Sequence, residues 1–218
     1  MHENTTARVE AFSDGVFGIA LTLLVLDFKV PHLGDQSAIT SRQLTRELLH
    51  MWPTIIAFVL SFGTVLTMWI NHHGLFRHAH RTDNRLLFAN GLLLLVVTFV
   101  PFPTAVLADY LDRPAANAAT AFYCGTFILI NIGYNLLLRA IEVNRHPTPT
   151  PSEDAAFNGI RRTYYITFGV YLLATIMALW NAYVGLAICL SLWLVWALLK
   201  YEAGHRSLNP NDEVRIPE

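Results

Sequence analysis

Four histidines form the densest group of side chains that could bind a metal ion or exchange protons. They are His72, His73, His78 and His80. Metal sites usually recruit a carboxylate or a second element with ligand spacing, and this segment supplies neither. We therefore expect no metal site and no bound cofactor. The histidines are expected to form a titrating, lipid-facing or loop cluster that responds to modest acidification.

A carboxylate, Asp14, lies at the start of the first apolar segment of the chain. The charge-free stretch after it, Gly15–Leu26, is shorter than the roughly 20 apolar residues that a spanning helix needs, so such a helix must include Asp14. An ionisable group at that depth usually faces protein or water rather than lipid. Asp14 is therefore a candidate functional residue.

An apolar stripe is predicted on the same helix if the helix runs from about residue 8 to residue 30. The stripe consists of Ile19, Leu23 and Leu26, with Thr22 at its edge. It lies almost opposite Asp14, which predicts that the carboxylate is buried against neighbouring helices. The stripe itself is equally typical of a helix that packs against lipid or against another helix.

Composition and hydropathy predict the elements that carry these residues. Of the 218 residues, 54% are hydrophobic and 14% charged, whereas a soluble domain has about 25% charged residues. Charge-free runs recur at residues 48–76, 86–108, 115–138 and 163–199. The last run is too long for one span and should turn back near Trp180 and Asn181. Pro101 and Pro103 should kink or end the third helix.

These patterns predict an all-α integral membrane protein with six transmembrane helices in residues 1–204 and a polar tail in residues 205–218. Residues 36–50 are expected to form a short external segment or a surface helix. Basic residues are more frequent on the side that holds both termini, so the positive-inside rule places the termini in the cytoplasm and the chain in the cell membrane. The net charge is −1 and no basic block is present, which excludes a nucleic-acid partner.

The run Arg8–Asp14 fits the pattern Arg-x-x-x-Phe-Ser-Asp, and the residues that follow it are also similar to the first helix of one family. The chain thereby resembles the bacterial members of the transmembrane protein 175 family of potassium channels. That resemblance implies a homotetramer in which four first helices surround a pore for K⁺ and other monovalent cations, within the lipid bilayer. Ile19, Leu23 and Leu26 would then constrict the pore, and Thr22 could add a ring of hydroxyls.

The resemblance also implies a polar network that holds the pore helix against its neighbours. The residues assigned to it are Arg8, Phe12, Ser13 and Asp14 on the first helix, with Trp69, Asn71 and His72 at the end of the second. These residues would support the helix and would not contact the ion. A narrow apolar ring would select K⁺ over Na⁺ because K⁺ sheds its water at lower cost, and the same ring could close the pore by dewetting.

A proton- or cation-coupled secondary transporter that uses Asp14 remains the main alternative, although the inverted halves of many carriers are not visible in the sequence. An enzyme is not expected, because Asp109 and Asp112 fit a solvated turn better than paired catalytic acids. No Thr-Val-Gly-Tyr-Gly run is present, and no helix has arginine at every third position, which excludes a conventional voltage-gated potassium channel. Cys124 and Cys189 are expected to be packing residues.

Overall fold

A computed structural model describes residues 5–31, 39–79, 82–144 and 150–206, without the side chains of Thr5, Ser152 and residues 196–206. The described chain is helical, as predicted. The helices are α1 (Thr5–Leu23), a 3₁₀ turn (Leu24–Asp27), α2 (Ser41–His50), α3 (Trp52–Phe76), α4 (Asn84–Phe99), α5 (Pro101–Tyr110), α6 (Ala116–Val143), α7 (Pro151–Trp180) and α8 (Ala182–Arg206). Residues 207–218, most of the predicted tail, lie outside the described residues.

Five segments are long and apolar enough to cross a membrane, so the chain is a multi-pass membrane protein. They are Thr6–Asp27, Trp52–Phe76, Asn84–Tyr110, Ala116–Val143 and Glu153–Trp180. The apolar part of α8 among the described residues, Ala182–Val195, is shorter. The sixth predicted span therefore stays a prediction.

The predicted turn between the last two helices is confirmed, because α7 ends at Trp180 and α8 begins at Ala182. Asn117 of α6 fixes this turn. Its Nδ2 donates to the carbonyl oxygens of Leu179 and Trp180 at 3.2 Å each, and its Oδ1 accepts from the Ala182 N–H at 2.9 Å. One amide thus pairs backbone groups that two adjacent helix ends leave without intrahelical partners.

The third span is interrupted at its prolines, as predicted. α4 ends at Phe99, and α5 begins at Pro101 with proline in its first turn. Proline lacks the N–H that would continue the hydrogen-bond ladder of α4, but it is well tolerated at the start of a new helix. Together α4 and α5 form one segment of membrane-spanning length.

The first span differs from the continuous helix expected to reach about Val30. α1 ends at Leu23, the 3₁₀ turn follows, and Phe28 is extended. Pro31 disfavours helical geometry at the residue before it, and the Phe28 ring packs edge-on against Phe58 of α3 with ring centroids 5.2 Å apart. Side chains three residues apart eclipse in a 3₁₀ turn, so Leu26 stays close to the side of Leu23.

The core is built around α6, which packs against α4, α5, α7 and α8. Its fully buried aromatic residues include Tyr123 and Phe127. Cys124 and Cys189 are buried where α6 meets α8, with their sulfur atoms 3.3 Å apart. In contrast, α1 lies at the edge of the chain's helix bundle and packs mainly against α3 and α4. One side of α1 is therefore left on the surface.

Candidate functional site

The two faces of α1 and its 3₁₀ extension differ sharply in burial. The buried face is a row of four residues that are at most 1% exposed, namely Ser13, Phe17, Ala20 and Leu24. Their spacing of four, three and four residues is that of one side of an α-helix. This row faces α3 and α4 and fixes which side of α1 is turned outward.

The outward face carries the predicted apolar stripe. Ile19, Leu23 and Leu26 are 58%, 39% and 70% exposed within the subunit. Thr22 is exposed at the edge of the stripe, and its hydroxyl donates to the Ile19 carbonyl oxygen at 2.8 Å. The three large side chains thus lie together on the surface of the subunit. Their role in a pore stays a prediction.

Asp14 is exposed, so the expectation that it is buried was wrong. The buried member of the Ser-Asp pair is Ser13. Neighbouring residues on a helix lie about 100° apart, so a face that buries Ser13 turns Asp14 toward its edge. The carboxylate is nevertheless held in place, because the indole Nε1 of Trp69 on α3 donates to its Oδ1 at 2.8 Å. Trp69 is the partner that the resemblance implied.

Ser13 is the first member of a buried hydrogen-bond chain that crosses three helices. Its hydroxyl donates to the Val9 carbonyl oxygen at 2.8 Å and accepts from Nδ2 of Asn90 on α4 at 2.9 Å. Oδ1 of Asn90 lies 2.8 Å from Nε2 of His72 on α3. Because the Asn90 Nδ2 bonds to Ser13, its Oδ1 must accept, and His72 is assigned as the donor through Nε2–H.

The His72 ring is fully buried between two phenylalanines, with centroid distances of 5.4 Å to Phe17 and 4.6 Å to Phe76. Its Nδ1 has no hydrogen-bond partner among the residues that the structure describes. A histidine in this setting orients neighbouring helices and is poorly placed to reach a solvated ion. The structure therefore brings Ser13 and His72 together, as the resemblance implied, through an asparagine between them.

Asn90 was missed by sequence reasoning. The available signal was an amide within an otherwise apolar run, since polar side chains at membrane depth commonly bond across helices. The sequence offered no means of pairing Asn90 with Ser13 and His72, because the contacts join residues that are far apart in the chain.

Three assigned residues join neither this chain of hydrogen bonds nor the pair of Asp14 and Trp69. Phe12 is 67% exposed, and Arg8 is exposed beside it at a surface cavity of about 580 Å³ between α1 and α4. Neither a hydrogen bond nor an ion pair joins Arg8 to another described residue. Asn71 instead lines a separate cavity of about 40 Å³ formed with α6, α7 and α8, because it lies about 100° around α3 from His72.

The predicted histidine cluster is divided among different surroundings. His73 Nδ1 lies 3.7 Å from Glu10 Oε2 of α1, His78 packs edge-on against Phe157, and His72 bonds to Asn90. His80 lies outside the described residues. Within the described part of the chain, no three histidine, cysteine or acidic side chains gather as metal ligands would.

Comparison with known proteins gives three findings. The sequence model of the family described as endosomal/lysosomal potassium channel TMEM175 matches residues 8–101. A potassium channel of Chamaesiphon minutus is 39% identical over 196 residues, which cover 90% of this chain and 95% of that protein. The human endosomal/lysosomal proton channel TMEM175 is 35% identical over 132 residues, which cover 56% of this chain and 26% of the human protein.

A solved structure is similar over nearly the whole described fold. The crystal structure of a lysosomal potassium-selective channel TMEM175 homolog from Chamaesiphon minutus superposes with a TM-score of 0.80. The match covers 90% of this chain and 98% of that chain, at 39% sequence identity.

Proposed function

Because this chain belongs to the TMEM175 family, we propose that it is a potassium channel in which the first helices of four identical subunits line the pore. It conducts K⁺ passively through a constriction formed by Ile19, Leu23 and Leu26, with Thr22 beside them. The bacterial relative named as a potassium channel, which this chain matches almost from end to end, supports the choice of ion. No bound cofactor is needed for this activity.

The observation that carries the proposal is the mixed chemistry of the outward face of α1. Large apolar side chains are exposed there beside the hydroxyl of Thr22, and the carboxylate of Asp14 is exposed at the edge of the same helix. A face in contact with lipid alone would expose an aspartate at membrane depth only at a considerable free-energy cost. A face that lines a shared aqueous path accommodates both kinds of side chain.

The opposite face supports the proposal because it fixes the rotation of the helix. Ser13 is tied to α4 through Asn90, and Asp14 is tied to α3 through Trp69. A helix held at two neighbouring positions by two different helices keeps its outward side chains in one direction. A constriction needs that precision, since its width depends on where the branched side chains point.

The ion is selected by hydration energy. An apolar ring supplies no oxygen ligands to replace lost water, so the ion that sheds water at lower cost passes more readily, and that ion is K⁺ rather than Na⁺. The same ring can lose its water and stop conduction. In the membrane, α8 completes six spans, and both termini of each subunit face the cytoplasm at the cell membrane.

Flux from reconstituted liposomes tests the function. The purified full chain is placed in liposomes loaded with K⁺, and a proton ionophore with a pH-sensitive dye reports K⁺ efflux, with valinomycin as the positive control. A channel gives K⁺ efflux without any coupling ion and much less efflux when Na⁺ replaces K⁺. Omitting the ionophore measures proton permeation separately.

A coupled carrier would give a different pattern. Its transport would saturate, would need a second ion, and would disappear in Asp14→Asn. Absence of K⁺ efflux from correctly assembled protein would contradict the channel and favour the carrier.

A further inference from the structure

The short helix α2 has an inverted distribution of exposure. Its apolar residues are exposed, with Leu44 at 41%, Leu48 at 49% and Leu49 at 70%. Its carboxylate residue, Glu47, is half-buried, and the other residues of the helix are exposed. A soluble protein buries leucine and exposes glutamate. The leucines of α2 are therefore left uncovered by the described part of the chain.

The sequence of α2 builds two distinct faces. Leu44 and Leu48 are one turn apart, and the three leucines lie within an arc of about 140° that also holds Ser41 and Thr45, while Gln43 and His50 lie on the other side. Arg42 and Arg46 are also one turn apart and border the leucines on the flank where Leu49 lies. Leucines on one face with arginines along the boundary form the pattern of a helix that lies flat in a membrane interface.

The position of α2 along the chain fits that pattern. The helix begins at a capping box, in which the Thr40 N–H donates to Oε1 of Gln43 at 2.9 Å and the Gln43 N–H donates to the Thr40 hydroxyl at 3.4 Å. It ends at His50, only two residues before the spanning helix α3 begins at Trp52. The end of α2 is thus held covalently at the depth where α3 meets the membrane surface, and Trp is favoured at that depth.

We propose that α2 is a membrane-surface helix whose leucine face inserts into the interface of the bilayer and whose arginines bind anionic lipid headgroups. The occupant of the exposed apolar face is lipid. The arginine side chains can lay their methylene stems along the apolar region and reach the phosphates with their guanidinium groups. The inference does not depend on which ion the protein conducts, so it can fail while the channel assignment stands.

Fluorescence quenching by lipid tests the insertion. The environment-sensitive label NBD is attached at Leu48→Cys or at His50→Cys, two neighbouring positions that lie about 160° apart around the helix. The native thiols of Cys124 and Cys189 are buried, so labelling favours the introduced cysteine. In liposomes containing a shallow nitroxide-labelled lipid, we expect strong quenching and a blue-shifted emission at position 48 and weak quenching at position 50.

The role of the arginines is tested with the same label at position 48. Liposomes of phosphatidylcholine alone are compared with liposomes that also contain phosphatidylglycerol. Each of Arg42→Gln and Arg46→Gln should lower the ratio of inserted to free helix in the anionic liposomes by about fivefold, the factor that corresponds to about 1 kcal/mol per arginine at an anionic surface. Neither change should alter the ratio in neutral liposomes.

Two outcomes would overturn the proposal. Equal quenching at positions 48 and 50 would show that α2 has no lipid-facing side. A blue-shifted label at position 48 that nitroxide lipid does not quench, together with crosslinking of unlabelled Leu48→Cys between subunits, would assign the apolar face to a second copy of the chain.

Discussion

Asn90 of α4 offers the sharpest test of the support for α1, because its side chain bonds both to Ser13 of α1 and to His72 of α3. Replacing it with leucine keeps the number and branching of the side-chain heavy atoms but removes two interhelical hydrogen bonds, one to Ser13 and one to His72. The Ser13 hydroxyl keeps its bond to Val9, whereas the His72 Nε2–H is left buried without an acceptor.

The expected loss of stability follows from these contacts. Interhelical hydrogen bonds in membrane proteins contribute about 0.6 kcal/mol on average and about 1.7 kcal/mol at most, so two of them give roughly 1.2 to 3.4 kcal/mol. The penalty of about 1–3 kcal/mol for one unsatisfied buried group lies in the same range. We therefore expect Asn90→Leu to lower the free energy of unfolding by about 1–3 kcal/mol.

Equilibrium unfolding in mixed micelles, with a rising fraction of denaturing detergent, measures this loss. Asn135→Leu is the matched control, because Asn135 also lies within a membrane span but, among the described residues, its side chain bonds only to Asn131 of its own helix. We expect the control to lose less than the average value of one interhelical bond, about 0.6 kcal/mol.

A double-mutant cycle that combines Asn90→Leu with His72→Phe measures the interaction energy between these two side chains. Replacing both partners with apolar side chains removes the unsatisfied donor, so the double variant should be more stable than the sum of the two single changes predicts. If Asn90→Leu unfolds like the control, or if the two single changes simply add, then the hydrogen-bond chain does not support α1.

Three further results are expected. Leu23→Asn should reduce K⁺-over-Na⁺ selectivity, measured as a shift in reversal potential, because a polar side chain supplies ligands that an apolar ring lacks. Val25→Asn, on an exposed flank of the same segment, should leave the reversal potential nearly unchanged. Asp83 accepts the Leu86 N–H at the start of α4, and this hydrogen bond lowers the pKa of the Asp83 carboxyl. Asp83→Asn should therefore lower the thermal stability at pH values above the unfolded pKa of about 3.9. The difference in stability from the wild type should vanish as pH falls through the lower pKa of the folded state. The sulfur atoms of Cys124 and Cys189 lie close enough for copper phenanthroline to oxidise them to a disulfide, so neither cysteine should then react with maleimide under denaturing conditions. Maleimide labelling of both cysteines after oxidation would show that the two sulfur atoms do not stay close together.

The parts of this structure that the sequence predicted are those determined by local pattern. The turn at Trp180 and Asn181 follows from the length of an apolar run, and the break at Pro101 follows from a missing N–H. The common side of Ile19 and Leu23 follows from helical periodicity alone. Each of these features depends on residues that are close together in the chain.

The parts that could not be predicted depend on contacts between distant residues. Periodicity places Ser13 and Asp14 about 100° apart but cannot say which of the two faces the protein. That choice is made by α3 and α4, whose His72 and Asn90 offer partners to a hydroxyl, while Trp69 offers a single donor at the edge. Asn71 was assigned to the network from its neighbours in sequence, but it lies about 100° around α3 from His72 and faces the cavity formed with α6, α7 and α8.

The residues that hold α1 and the residues proposed to constrict the pore lie on different sides of the helix, so their roles can be tested separately. The two residues of α1 that hold the helix, Ser13 and Asp14, lie before Gly15, and the proposed constriction begins at Ile19, about one turn later. Loss of a contact that holds the helix should therefore lower the free energy of unfolding. It should weaken ion selectivity only by letting the helix shift. Loss of a constricting side chain should change selectivity while stability stays nearly constant, because that side chain is already exposed within the subunit. A variant of Leu23 that unfolds as easily as a variant of Asn90 would mean that both faces serve packing, and the pore assignment of the stripe would then be wrong.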